Sequence, residues 1–596
     1  MKFSHNSQSM HAIKHALLQA CKVYYAYLQE HNLGCEELQV AQAVFDDPYI
    51  QLRIKAKVLN TDSLMIQIGS AAPMPLSEEC GFYVRFYDEK SQILSIECLD
   101  SSTLNAVQKH KAQLKIFSDL KFLIRNLETF FEQQSTFAIP AAPPMFAHKD
   151  STSAYHSITI QPYLNKEQAS ALRDILSKPF SYVWGAPGSG KTQVVLFEAL
   201  LHYVYSNTRV CVLAPTNSAL EQVLQALIKK FDTLKIERSM ILRLGTPSNA
   251  FMEQYAEVCD PQILQKKQPQ SLFSAASPKS RLKESLIIGL TIDGFIKRYT
   301  SLDVEFSHFF LDECAFTPLI KALTLSTQNA PVTLLGDHKQ LMPICEMPTS
   351  RMHGDKVWAN LFNLSALFME DFFTQEHFSS SAKIFTKSQT SPLQFTHTSL
   401  NILHKTHRYG DNLAKILDHH IYHNGLCGKD SPTDLLFIDC KSQIPQDKCS
   451  HAEAQAIAQI FPTLLQQSRS TAIITPFVKQ RKLLYEYQIP YKHTWTIHGS
   501  QGQEFDCVVF SPVMLHHHLT DSRNLHAAYA LNVAVSRMKK CFILVCDYSY
   551  WIRQDEQFLT AILRCARPYP IAKITPPKNK QSPPPQTSHI IDIIPI

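Results

Sequence analysis

No two of the 15 cysteines stand as a C-x-x-C pair, which argues against zinc fingers, zinc ribbons and cluster-type iron sites. The odd, scattered count fits reduced thiols in a cytosol-like compartment, so a cytoplasmic location, or a nuclear one in a eukaryote, is expected. No uninterrupted apolar run approaches the ~18 residues of a membrane-crossing helix, and no membrane partner is expected. The apolar stretch near the N-terminus carries His11, Lys14 and His15 and makes a poor signal peptide. Histidine is plentiful at 26, with small groups at His419, His420 and His423 and at His516–His518. No ligand spacing supports metal there, so solvated loop histidines are the expectation. Glycine is scarce, with 16 in all, which gives weight to any place where it clusters.

The remaining bulk properties are permissive. With 45% hydrophobic and 18% charged residues, the 596-residue chain has the composition of a globular protein of three or four domains. A net charge of +6 allows a polyanionic partner without demanding one.

Glycine does cluster once. Gly185-Ala-Pro-Gly-Ser-Gly-Lys191-Thr192 fits G-x-x-x-x-G-K-[ST] without a mismatch. A strand signal, Phe180–Trp184, precedes it and a helical run, Gln193–Leu201, follows. In that context the loop of Gly185, Pro187, Gly188, Ser189 and Gly190 wraps phosphates with the N–H groups of its non-proline residues, with Gln193 in the helix whose positive end faces them. Lys191 reaches the β- and γ-phosphates of ATP, and the Thr192 hydroxyl holds Mg²⁺. Further on, the strand Phe309–Leu311 ends in Asp312-Glu313. A carboxylate there suits Mg²⁺, and its neighbour suits the attacking water.

Periodicity divides the chain. Residues 10–28 have a helical period, and then Ile50–Val58, Leu64–Ile68, Phe82–Phe86 and Leu94–Cys98 alternate as strands, the first with Arg53, Lys55 and Lys57 outward. A helical pattern returns from Leu104 to about Phe131, and prolines at 140–144 mark a break. The expected divisions are an accessory region of helix, small β-barrel and stalk helix (1–150), two α/β domains (151–343, with an insertion at about 228–285, and 344–570), and a Pro-rich disordered tail (571–596). Buried-type strands at Val210–Ala214, Phe309–Leu311, Val332–Leu335, Thr471–Thr475, Cys507–Phe510 and Cys541–Val545 alternate with helices, the signature of parallel sheets.

After a further strand comes Gly336-Asp-His-Lys-Gln340-Leu-Met-Pro343, and here the chain resembles superfamily 1 helicases, in the branch containing the RNA-surveillance helicase Upf. G-D-x-x-Q-L-x-P is motif III of that family. Leu164–Gln168 resembles its Q motif, Ala214–Asn217 motif Ia, Leu290-Thr291 motif Ib, His407-Arg408-Tyr409 motif IV and Ile474–Phe477 with Gln480 the next strand motif. Thr496–Asp506 is similar to motif V, and Leu531–Lys540 to motif VI. The resemblance covers about residues 160–550. It implies two RecA-like domains gripping ATP between them, with Gln168 on adenine, Gly502 and Glu504 on the nucleotide side with Glu504 at the ribose, Gln340 sensing the γ-phosphate, and Arg408 and Arg537 as fingers. It implies single-stranded RNA or DNA along Pro215, Thr216, Thr291, Thr475, Pro476 and Thr496, and 5′→3′ movement by a monomeric motor. Two departures stand out. Phe316 follows Asp312-Glu313-Cys-Ala where the family has Gln, and Thr406-His407-Arg408 stands where Q-Y-R is usual, so stacking falls to His407 or is lost. A clamp or remodelling ATPase without unwinding stays open beside the motor.

Overall fold

The computed structural model describes residues 7–55, 61–77, 80–88, 91–147, 160–267, 273, 277–374, 387–389, 391–441, 447–467 and 470–570. Two parallel sheets dominate it. The first has seven strands in the order Ile241–Arg243, Ile287–Thr291, Val210–Ala214, Phe309–Leu311, Val332–Gly336, Phe180–Gly185 and Ser399–Leu403, every neighbouring pair parallel. The second has six, ordered Thr494–Thr496, Thr471–Thr475, Phe505–Phe510, Met538–Cys546, Asp434–Asp439 and Arg567–Pro568, also parallel throughout. Val210–Ala214, Val332–Gly336 and Thr471–Thr475 are buried at every position, as strands must be when helices cover both faces. Each sheet is one RecA-like lobe.

The boundary at 343 does not separate the sheets. Ser399–Leu403 lies well beyond it yet pairs in register with Ser181–Gly185, so the first lobe keeps residues up to about 403. The segment 228–285 is also more than an insertion. It supplies the edge strand Ile241–Arg243, and Phe251, Met252, Tyr255, Val258 and Leu264 bury against the first lobe's helices.

In the accessory region the four expected strands form, within two antiparallel four-stranded sheets closing on one core that contains Leu52, Ile66, Phe82 and Leu94. Arg53 and Lys55 are exposed as the alternation requires; Lys57 lies outside the described residues, as do 571–596. The helical pattern of 104–131 is not one helix. Ser101–Lys109 and Lys121–Gln133 are helices, but Leu114–Asp119 between them is a strand that pairs with both Cys35–Leu38 and Leu64–Ile68. Two ladders of hydrogen bonds outweigh local helical preference there. The helices Ser7–Glu30 and Lys121–Gln133 pack on each other and brace the first lobe, with Phe130 4.8 Å from Tyr299 and Tyr24 4.4 Å from Phe362 between ring centres.

Candidate active site

The phosphate loop leaves the carboxyl end of Phe180–Gly185, a central strand. Gly188 and Gly190 take φ of +83° and +90°, the left-handed region that side chains resist. Space forbids a side chain as well: a Cβ on Gly188 would stand 2.4 Å from Arg408 Cβ, and one on Gly190 2.8 Å from Gln168 Nε2. Lys191 folds back over the loop and donates to Gly185 O at 2.6 Å. Gln168 is spent on support. Its Oε1 accepts from Asn165 N and its Nε2 donates to Ser189 O, a capping box with a strut to the loop, and it does not line the cleft. The adenine role that the resemblance implies is therefore not displayed. The Ser189 hydroxyl is buried behind the loop without a hydrogen-bond partner.

Opposite the loop, Thr192 Oγ1 lies 3.1 and 3.2 Å from the two oxygens of Asp312. Burial pushes the Asp312 carboxyl up to about 7, and the Glu313 charge adds to the rise against the opposing pull of Lys191 and Thr192. Two hard oxygens facing each other, one of them destabilised as an anion, suit a small divalent cation such as Mg²⁺. Glu313 sits at φ +52°, an unusual conformation at the turn that aims the acidic pair.

The second lobe closes directly on this loop. Thr406 Oγ1 donates to Pro187 O at 2.7 Å and His407 N to Gly188 O at 2.9 Å. Arg408 donates to Ser536 O at 2.8 Å and pairs with Glu504, which Lys539 also binds at 2.8 Å. Arg537 is buried, donating to Val533 O at 3.0 Å and to Gln340 Oε1 at 3.2 Å. Burial and then the neighbouring Arg408 push its guanidinium down to about 10, leaving it charged at neutral pH. Gln340 is oriented in turn by Asp337, which accepts from Gln340 Nε2 and Trp184 Nε1 at 3.0 Å and from Tyr422 OH at 2.6 Å. Asn532 ties Tyr422 OH to Lys339 O at 2.8 and 2.7 Å. Tyr422 and Asn532 come from the second lobe, so a fully buried polar network crosses between lobes. Tyr422 had no motif to betray it; Asn532 lies within the motif VI-like segment.

Part of this constellation lines one cavity of about 590 Å³. Pro187, Gly188, Gly190, Lys191, Thr192, Gln193, Asp312, Glu313 and Gln340 reach it from the first lobe, and His407, Arg408, Gly502, Glu504 and Arg537 from the second. Gly185, Ser189 and Gln168 stand behind its wall. Lys429, Lys539 and Lys540 also line it, cations that pattern reading did not single out.

The residues expected to meet nucleic acid sit at carboxyl ends of neighbouring strands. Ala214 pairs with Thr291 in the first sheet, and Thr475 with Thr496 in the second. Thr216 and Thr291 cap the helices Asn217–Leu234 and Ile292–Arg298 by accepting from Ala219 N and Gly294 N. Thr216 is exposed, while Pro215, Thr291 and Thr496 are half-buried. Thr475 and Pro476 are buried and present no side chain to a partner.

Two RecA-like lobes, one with a phosphate loop and acidic pair, the other with two guanidiniums in the same cavity, define a core of the phosphate-loop class. Two family models, each described as an AAA domain, match residues 163–287 and 385–549. Relatives include "Regulator of nonsense transcripts 1" of Dictyostelium discoideum (25% identical, over 30% of this chain and 14% of that protein) and "RNA helicase Mov10l1" of Mus musculus (29%, 32% and 16%). The "DNA replication ATP-dependent helicase/nuclease JHS1" of Arabidopsis thaliana is 23% identical over 72% of this chain. The chain thus spans no more than 32% of the length of these curated relatives. Among solved structures, "Complex structure of Arterivirus nonstructural protein 10 (helicase) with DNA" has 16% identity and a TM-score of 0.34, covering 66% of this chain and 65% of that one. Over residues 163–287 and 385–549 the chain is similar to AAA-domain models, and over parts of its length to the helicases just named. No helix among the described residues is long and apolar enough to cross a membrane, and none of their histidine, cysteine and carboxylate groups form a metal-holding cluster.

Proposed function

We propose that the protein is an Mg-ATP-driven translocase or helicase on single-stranded nucleic acid, acting as a monomeric motor with 5′→3′ polarity. The observation that carries this reading is that Arg408 and Arg537 of one lobe enter the cavity holding Lys191 and Glu313 of the other. In the reaction, the loop amides and Lys191 hold the phosphates while Glu313 takes the proton of the attacking water. Thr192 and Asp312 would hold Mg²⁺, which would supply positive charge to the phosphates. Arg408 and Arg537 stabilise the charge that develops on the transferred group. For that, Arg537 gives up Gln340 and Arg408 gives up Glu504, so closure of the lobes responds to the terminal phosphate. Gln503 Nε2 meets Ser218 Oγ at 3.3 Å across the lobes, beside Pro215 and Thr216, which links closure to the polymer side.

A second reading, a nucleotide-gated clamp, is favoured by Phe316. It packs into the first lobe's core where the family places a polar residue that links hydrolysis to strand movement. Strand displacement on duplexes with a 5′ or a 3′ overhang separates the two. ATP-dependent unwinding from the 5′ overhang supports the motor; ATP hydrolysis with no displacement from either end supports the clamp.

A further inference from the structure

Thr475, Pro476 and Phe477 stand where a backbone-gripping motif is expected, yet all three are buried. The loop leaving Phe505–Phe510 folds over this corner: Ser511 N donates to Ile474 O at 3.0 Å, and the His516 ring meets Phe477 edge-on at 5.5 Å between centres. Lys448 Nζ lies 5.9 Å from the centre of the same Phe477 ring. Lys448, His517 and His518 are exposed. A strand passing this corner of the second sheet therefore meets a lysine and imidazoles rather than the Thr475 hydroxyl. The 11-residue helix Leu525–Val535 also starts in this patch, capped by Asn524, with His526 exposed in its first turn.

We propose that Lys448 and the loop His516–His518 are the second lobe's contact for the phosphodiester backbone of single-stranded nucleic acid; this rests on the polymer-binding reading above. Imidazole rings donate N–H groups to phosphate oxygens and offer faces to unstacked bases. The loop is held in shape from below. Buried Glu453 accepts from Val513 N at 3.1 Å and from Ser511 Oγ, while Val513 sits at φ +64°, costly for a β-branched residue. The acids nearby are engaged: Asp521 by Arg523 and Gln557, Asp447 by Lys479. The helix that begins at Leu525 ends just before Ser536 and Arg537, so a rod of about 16 Å joins this contact to the cleft.

Protonation sharpens the inference. Burial, then Lys448, His518 and His517, hold His516 below its usual value, and burial, then His518 and His517, do the same to His526. His517 Nε2 also faces Asn524 Nδ2 at 2.8 Å. His516 and His526 are thus largely neutral at pH 7.5, and arriving phosphates draw protons onto them. Each proton taken up steepens binding by up to about tenfold per pH unit of acidification.

The test is fluorescence anisotropy of labelled oligothymidylate and oligouridylate with the full chain from pH 6.0 to 8.5 at fixed ionic strength. Wild type is expected to bind about tenfold or more tightly at pH 6.0 than at 7.5. His516→Gln with His526→Gln, on protein whose melting transition stays cooperative, should flatten that profile, and His517→Gln with His518→Gln, both exposed, should weaken binding without lowering the melting temperature. His517→Lys with His518→Lys should bind tightly at every pH. A glutamine variant that keeps wild-type affinity and pH profile overturns the loop assignment alone. Wild type that binds neither oligomer at any pH overturns the polymer reading, and this inference with it.

Discussion

Replacing Arg537 by alanine removes the charge proposed above to stabilise the transition state, one that the resting cleft has already desolvated. The side chain is 4% exposed and bonded to Val533 O and Gln340 Oε1. In related NTPases an arginine at the transferring phosphoryl group contributes 10³–10⁵ in rate, about 4–7 kcal/mol at 1.36 kcal/mol per decade. Arg537→Ala should therefore lower kcat by about 10³ or more. The affinity for a non-hydrolysable ATP analogue should change far less, because Lys191 and the loop amides are untouched. Each group left unpaired in the interior costs about 1–3 kcal/mol, so the melting temperature should fall by a few degrees. Single-turnover hydrolysis and analogue titration, on protein whose melting transition stays cooperative, make the measurement. Arg537→Lys keeps charge but not the planar fork, and should recover only part of the loss. A folded Arg537→Ala variant with less than a tenfold loss of kcat would reduce the residue to an interlobe strut.

Glu313→Gln should bind the ATP analogue as wild type does and lose turnover; hydrolysis at the wild-type rate would remove the general-base assignment. Tyr422→Phe deletes a buried donor to Asp337 that crosses between lobes, about 1.4 kcal/mol or tenfold in KM for ATP with a smaller change in kcat, and an unchanged KM would show that the network does not govern closure. Burial raises Glu453 from 4.5 to about 8, so between those values the folded chain keeps a proton that the unfolded chain has lost. Its contribution is fully favourable below pH 4.5 and falls away as pH rises towards 8. Glu453→Gln should therefore gain in melting temperature over wild type between pH 6 and 8.5; curves that run parallel would contradict the burial effect.

The nucleotide half of the site was legible because its chemistry demands contiguous residues. A loop wrapping phosphates must be one glycine-bearing turn, and Asp312-Glu313 must follow a strand. The parallel strands were legible for a related reason, since burial on both faces leaves apolar runs such as Val210–Ala214. Long-range pairing was not. Ser399–Leu403 is half polar and joins the first sheet only through its register with Ser181–Gly185, so the lobe boundary was set too early. Leu114–Asp119 carries a helical spacing that two flanking strands override. Tyr422 and the covering of Thr475 and Pro476 arise from tertiary contacts that no local pattern encodes.

In the proposed function, two lobes sharing a terminal phosphate make ATP turnover answer to a polymer. Steady-state ATP hydrolysis by the wild-type chain, with and without saturating single-stranded oligonucleotide, tests it most directly. Turnover is expected to rise at least several-fold with the strand and that rise to vanish in Glu313→Gln; an ATPase rate indifferent to both RNA and DNA strands would contradict coupling between the lobes and a polymer.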